Sequence, residues 1–513
     1  MRLRRGDDVH RPRFRRQNQW DVYHSWVAVS CSADRNLASK ARRLACAFAA
    51  VASVAAWSCS NARQRTTAIT HVSVIDVASG AARSDFTVIV RGNRITFAGP
   101  AASADVPRDA RVIDGHGKFL IPGLWDMHVH AFMYVFSDFA GPLMIANGVT
   151  GARDMGYYID TTLSWRREIA AGREVGPRLI AGVRVDGPFG RAKFVSHVKE
   201  RIDGERAVDT LARGKDGSQR ADFASIDPGM PRAAYFGLAD EAKKLRFPFA
   251  GKVPYGVSVA EASDSGQKSI EQEDDIMRAC TSREAAFRAR LADTTARRAG
   301  DDPLQPGRDA AAILSSYDPS ACHSIIAALV RNHTWVTPTL VVYQPYAHGF
   351  DSASTHPERS KYVPGIIQGG WLEKASPKRR PDSVTVQSSF SFERTGELHK
   401  AGVHLLAGTD APRAFLYPGF SLHDELALLV ESGLTPLEAL RTATYNPADY
   451  LGALDSLGTV EKGKVADLVL LDANPLVDIH NTRRISVVIA NGRVFDTAAR
   501  KDLLEHVIAA LKH

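Results

Sequence analysis

The chain has 513 residues, 44% of them hydrophobic and 24% charged, which is ordinary globular usage and excludes a disordered, collagenous or coiled-coil protein as the main class. A net charge of +8 hints at nucleic-acid binding until it is located: residues 1–43 hold 11 Lys/Arg against 4 Asp/Glu, so the other 470 residues carry only +1. No apolar run reaches membrane-spanning length, and 5 cysteines without a CxxC pair indicate neither a zinc knuckle nor a dense disulfide framework.

Residues 44–57, LACAFAAVASVAAW, follow Lys40, Arg42 and Arg43 and have the pattern of a secretory signal peptide. The expectation is an exported protein, periplasmic or secreted, whose true start lies downstream of Met1, with 1–65 a basic arm and signal-like segment. Ala56-Trp57-Ser58-Cys59 resembles a lipobox, which makes a lipoprotein anchored at Cys59 one variant of that reading. The alternative is a cytoplasmic protein with a basic N-terminal arm.

Residues 66–118 read as short strands: THVSVIDVASG, FTVIVRGNRITFAG and ARVIDGHGKFL are β-branched runs broken by Gly and Asn turns. Residues 455–513 answer them with GTVEKGKVADLVLLDANP and ISVVIANGRVF. Two β-rich ends predict one small β domain built from both. Between them, 119–454 alternates strands (148–154, 177–183, 221–226, 247–253, 334–343 and 403–410) with helices such as 231–245 and 424–433. Strands spaced by helices over this length predict a parallel α/β barrel. Residues 281–332 and 344–395, rich in charge, Pro and Gly, are longer excursions of the kind that shape a pocket over a barrel mouth.

The sharpest motif is Ile121-Pro122-Gly123-Leu124-Trp125-Asp126-Met127-His128-Val129-His130. Residues two apart on a strand share a face, so His128 and His130 can project together as imidazole ligands of a divalent metal. An HxH alone is a weak signal. A second motif, Leu405-Leu406-Ala407-Gly408-Thr409-Asp410-Ala411-Pro412, ends an apolar strand in a carboxylate. At the C-terminal rim of a barrel, Asp410 could ligate a metal and accept a proton from water.

With GVTGARDMG, GPRLIAGVRVDGP, AGKVPYGVSVAEASDSGQKSIEQ, SLHDELALLVESGLTPLEALRTATYNPADYLG and GTVEKGKVADLVLLDANPLVDI, these motifs resemble, in order over about 66–497, the metal-dependent amidohydrolases of the imidazolonepropionase-like and dipeptidase-related branch. The resemblance implies a distorted (β/α)₈ TIM-type barrel with a β-sandwich made by both chain ends. It also implies hydrolysis of C–N bonds in amides, lactams or dipeptides by metal-activated water. His128, His130 and Asp410 would then hold a divalent ion, commonly zinc in this family.

Two-metal relatives add a carboxylated lysine ending the fourth strand and histidines ending the fifth and sixth. Here those positions read Ser225 in ADFASID, Lys252 in AGKVPYG and Gln272 in KSIEQ. Serine cannot be carboxylated, a protonated lysine has no lone pair to give and repels a cation, and glutamine offers only an amide oxygen. Glu271 and Glu273 flank Gln272, and strand alternation would turn both away from its face. His423 in SLHDEL is left for core packing or support of a ligand. The expectation is one metal per chain at most and a small-molecule amide or dipeptide substrate, with no nucleic-acid partner. The alternative is a catalytically impaired pseudoenzyme that keeps the barrel to bind a ligand or partner.

Overall fold

The computed structural model describes residues 66–512, except 133–135, 157–158, 189–195, 214–219, 294–309, 348–349 and 375–381; the signal-like segment and Cys59 lie outside the described residues. Strands β1 (Thr66–Ile75), β2 (Ala82–Arg91), β3 (Arg94–Pro100), β4 (Arg111–Asp114) and β5 (Phe119–Pro122) come from one end of the folded body. From the other come β14 (Leu468–Leu471), β15 (Ile485–Ala490) and β16 (Arg493–Phe495). They form one sheet in the order β16-β15-β14-β5-β1-β2-β3, with β4 beside β1. The junction is the antiparallel pair β14–β5, in which Val469 faces Ile121 and Leu470 faces Leu120.

The sheet curls until its two edge hairpins meet: Asn93 donates its side-chain amide to Asn491 at 3.2 Å, and Ala466 N–H donates to Asn93 O at 2.9 Å. Gly492 (φ 80°) permits that approach, because a Cβ there would lie 1.9 Å from the carbonyl oxygen of Gly92. Ile69, Val88, Leu120, Leu470 and Ile489 share one buried cluster, so the sequence-distant ends form a single core.

The middle of the chain is a parallel barrel. Its strands are β6 (Leu124–Val129), β7 (Val149–Asp154), β8 (Arg178–Asp186), β10 (Phe223–Ile226), β11 (Phe249–Gly251), β12 (Ser269–Glu271) and β13 (Trp335–Thr337), with the short β9 (Ser196–His197) beside β8. Residues 403–411 take the eighth place. They join β13 through Val336–Leu405 and β6 through Val129–Ala411, both parallel bridges, and so nearly close the barrel.

Helices follow the strands as expected. The helix Arg232–Leu245 matches the predicted 231–245; Pro231 precedes it and Arg246 ends it in the left-handed region (φ 52°). Val259–Asp264 and Pro436–Thr442 each start with a capping box, Ser258 with Glu261 and Thr435 with Glu438. The seventh strand is shorter than the predicted 334–343. It stops at Thr337 because Pro338 cannot donate to a ladder and Thr339 turns to φ 51°, after which Leu340–Val342 forms a 3₁₀ turn.

The excursion 281–332 is helical where described and is tied back to the barrel by a disulfide between the buried Cys280 and Cys322. In the second excursion, Tyr362 and Trp371 pack with Phe136, Phe415 and Tyr417 from the loops after β6 and after residues 403–411. No helix among the described residues is long and apolar enough to cross a membrane.

Two predictions follow from this packing. Deleting 455–513 removes the partner of β5 and leaves its edge unpaired, so the truncated chain should accumulate as insoluble protein; milder damage, Leu470→Ala, should cost about 2–5 kcal/mol in urea unfolding. The second concerns Glu425, in the helix Phe420–Glu431, fully buried with Oε2 accepting the Val341 N–H at 2.8 Å. Burial, with smaller contributions from Asp126 and Asp424, pushes its carboxyl from the ordinary 4.5 up to about 8. The folded state therefore keeps a proton that the unfolded chain releases, and stability should fall as pH rises from about 4.5 toward 8. Unfolding of Glu425→Gln across that range should show a shallower fall and greater stability than the unmodified chain near pH 8.

Candidate metal centre

His128 and His130 stand on one face at the C-terminal end of β6, as alternation requires. The neighbouring segment is drawn against them by main-chain hydrogen bonds: Met127 N–H to Ala407 O at 2.9 Å, Asp410 N–H to His128 O at 2.7 Å and His130 N–H to Ala411 O at 2.8 Å. Residue 408 must be glycine for this approach, since a Cβ there would fall 2.7 Å from the Cβ of His128 and 2.6 Å from Thr337 Cγ2. Below the histidines, buried Asp126 accepts from the Thr409 hydroxyl at 2.6 Å and from the Thr409 N–H at 3.1 Å. Asp410 then takes φ 59°, which leaves its carboxylate directed at both rings.

Asp410 Oδ1 lies 3.5 Å from His128 Nε2 and 3.3 Å from His130 Nε2. Tetrahedral zinc with ligands at about 2.0–2.1 Å separates its donors by about 3.3 Å, so the spacing fits such an ion. Among the described residues these three form the group of His, Cys, Asp and Glu donors that can converge on a metal. The charge balance fits as well. Burial alone would lower the His128 pKa, but Asp410 and Glu271 on its two sides raise it to about 9. Burial alone would raise Asp410, yet Arg413, His128 and His130 hold it well below the usual carboxylate range. Without an ion the two carboxylates favour a second proton on His128; a divalent ion would take that proton's place.

Glu271 is the residue that strand alternation misplaced. It is the last residue of β12, and its Oε2 lies 2.8 Å from His128 Nδ1. Gln272 then adopts φ 64°, which ends the alternation and brings the next side chain to the site too: Gln272 Nε2 donates to Asp410 Oδ2 at 2.8 Å. Glu273 points elsewhere and accepts from the Thr395 hydroxyl. Beneath Glu271 the wholly buried Arg153 of β7 donates to Glu271 Oε1 at 2.6 Å and to the Met127 carbonyl at 2.6 Å.

The residues on the other side carry no comparable donor set. Ser225 is buried in β10, between Arg184 of β8 and Ala250 of β11. Lys252, just past β11, does not swing out to solvent: its Nζ donates to Asp274 at 3.2 Å, while the Tyr343 hydroxyl donates to the other oxygen of Asp274 at 2.9 Å. Burial would raise Asp274, but Lys252 and Arg278 bring it down to about 2. A further cation, Arg413, went unremarked in the sequence; it reaches back three residues to Asp410 Oδ2 at 2.6 Å. Among the described residues, no further group of three His, Cys, Asp or Glu donors converges beside Ser225, Lys252 and Gln272. His423 is buried away from these groups, its nitrogens 3.0 Å from Thr482 Oγ1 and 3.0 Å from the Asn147 carbonyl, and burial lowers its pKa to about 4. It serves packing between the Phe420–Glu431 helix and its neighbours.

Comparison with known proteins agrees with this architecture. Residues 379–495 match the family model described as the amidohydrolase family. A stretch of 56 residues is 34% identical to an adenine deaminase of Mesorhizobium japonicum, covering 11% of this chain and only 9% of that enzyme. Among solved structures, a bottromycin amidohydrolase superposes with a TM-score of 0.65 at 21% identity, over 88% of this chain and 91% of that one. A Xaa-Pro dipeptidase with methionine bound in its active site superposes with a TM-score of 0.61 at 18% identity, over 84% of this chain and 100% of that one. The chain thus matches the amidohydrolase family model over its C-terminal 379–495, and it shares with these structures the fold of a barrel with a β domain made from both chain ends.

Proposed function

We propose that this chain hydrolyses a C–N bond in a small amide or dipeptide, using one divalent ion held by His128, His130 and Asp410. The observation that carries the reading is the convergence of two imidazole nitrogens on one carboxylate oxygen at 3.5 and 3.3 Å. Likeness to a bottromycin amidohydrolase and a Xaa-Pro dipeptidase supports the class of bond. A zinc or similar ion bound there supplies Lewis acidity toward the substrate carbonyl and lowers the pKa of water.

The protein groups divide the remaining work. His128 and His130 offer neutral donors and leave room for water and substrate. Asp410 presents Oδ1 to the donor cluster and is the carboxylate placed to take a proton from the attacking water. Gln272 and Arg413, both donating to Oδ2, hold Asp410 in register and lower its basicity. Lys252, with Asp274, puts a fixed cation at the end of β11, where family resemblance would put a ligand of a second metal.

That last feature favours a second reading, a pseudoenzyme that binds a ligand in the barrel without turnover. Metal content separates the two. Purified without chelator, the chain should hold about one divalent ion, and His128→Ala or His130→Ala should abolish it. Two ions in the unmodified chain would overturn the assignment of Ser225, Lys252 and Gln272. The combined change Ser225→Lys, Lys252→His and Gln272→His should raise the count to two and add hydrolysis of simple dipeptides or N-acyl amino acids. If it binds two ions and hydrolyses nothing, the pseudoenzyme reading is the better one.

We further propose that the protein is exported. Support comes from the signal-like residues 44–57 and from the Cys280–Cys322 disulfide, a bond that persists mainly in oxidising compartments. N-terminal sequencing of the natural protein should find a start beyond residue 50; an intact Met1 would exclude this.

A further inference from the structure

We infer that Glu271 is a positioning residue: it fixes the ring hydrogen of His128 on Nδ1 and so turns the Nε2 lone pair toward His130 and Asp410, while Arg153 fixes Glu271. The inference rests on reading His128, His130 and Asp410 as metal ligands. A neutral imidazole has one donor and one acceptor nitrogen, and an ionised carboxylate only accepts. With Glu271 Oε2 2.8 Å from Nδ1, that nitrogen carries the hydrogen. With an ion in place of a second proton, Nε2 is the nitrogen that offers its lone pair, on the side where Asp410 Oδ1 stands at 3.5 Å.

Glu271 has no freedom to leave. Its Oε1 accepts from Arg153 Nη2 at 2.6 Å and from Ser269 Oγ at 2.5 Å, and the side chain is 1% exposed. Arg153 is held as firmly. Its five N–H bonds match five acceptors: Met127 O from Nε, Ser269 Oγ and Tyr450 Oη from Nη1, and Glu271 Oε1 and Thr337 Oγ1 from Nη2. The guanidinium also lies 5.0 Å from the Tyr450 ring centroid. Because Met127 immediately precedes His128, Arg153 grips both the main chain of the ligand strand and the carboxylate that orients the ligand ring. An acceptor behind a metal-binding histidine sets its tautomer and raises its donor strength.

A merely structural Glu271 would serve only to neutralise Arg153, and substitution separates the roles. In Glu271→Gln the amide keeps its oxygen toward Arg153 and turns its NH₂ to His128. Nδ1 must then accept, and the hydrogen moves to Nε2, where it competes with the ion. Zinc affinity of the full-length chain, measured by competition with a chromophoric chelator, should fall roughly 10- to 100-fold in protein whose circular dichroism is unchanged.

Tyr450→Phe removes a partner of Arg153 without touching the carboxylate. It should lower the melting temperature and leave zinc affinity unchanged. Equal affinity in Glu271→Gln and the unmodified chain overturns the inference alone; an unmodified chain that binds no zinc overturns the metal reading and the inference with it. Should Glu271→Gln fail to fold, ¹⁵N-histidine spectra of the zinc-loaded unmodified chain decide. The signal absent from His128→Asn should report a hydrogen on Nδ1 and metal on Nε2, and the reverse arrangement overturns the inference.

Discussion

Everything at the candidate site depends on how closely residues 403–411 lie against β6. That joint is not a regular ladder; it consists of single bridges and a few main-chain hydrogen bonds, with Gly408 at its tightest point. It does two things at once. It closes the barrel, and it brings a carboxylate from near residue 410 to two imidazoles from near residue 129. A side chain at 408 would press on His128 and Thr337 and force the strands apart. A metal site tolerates only a few tenths of an ångström in its donor distances, so the packing at this glycine and the convergence of the three donors are one constraint.

What could be read from the sequence follows from periodicity. The HxH pair, the order of barrel strands, the helix Arg232–Leu245 and the β domain made from both ends all rest on repeating patterns, and the fold has them. What could not be read lies where the pattern stops. Strand alternation sends Glu271 and Gln272 to opposite faces; Gln272 at φ 64° breaks the rule, so Glu271 reaches His128 and Gln272 reaches Asp410. Thr339 at φ 51° shortens the seventh strand in the same way. Arg413 returns to Asp410 only because the chain turns sharply there, with Arg413 bridged to Leu416. The partner of Lys252, Asp274, sits 22 residues away with nothing in the intervening sequence to pair them.

Burying Arg153 explains why this side of the barrel is built so firmly. An unpaired guanidinium in a barrel interior would cost several kcal/mol, and breaking a buried ion pair on one side is expensive for the same reason. Here each N–H has an acceptor, and the charge is met by Glu271. Those acceptors belong to β6, β12, β13 and the helix Tyr445–Tyr450. One side chain therefore ties four elements together directly beneath His128. Orientation of the ligand ring comes from the same contacts that stabilise the barrel floor.

The opposite side of the candidate site is held far less tightly. Ser225 is held in place by its strand neighbours, and the described structure gives its hydroxyl no charged partner on which other elements depend. Lys252 lies past the end of its strand and donates to Asp274, whose other oxygen accepts from the Tyr343 hydroxyl. Neither position is wired into the Arg153 cluster. A substitution at 225 removes no charge, and one at 252 disturbs only the local pair with Asp274, so either leaves the Arg153–Glu271 balance intact. A substitution at 128 or 271 strips a partner from a buried charge and disturbs site and floor together. On this argument the His128 side is the one whose side chains folding itself constrains through Glu271 and Arg153, and the Ser225 and Lys252 side is constrained less.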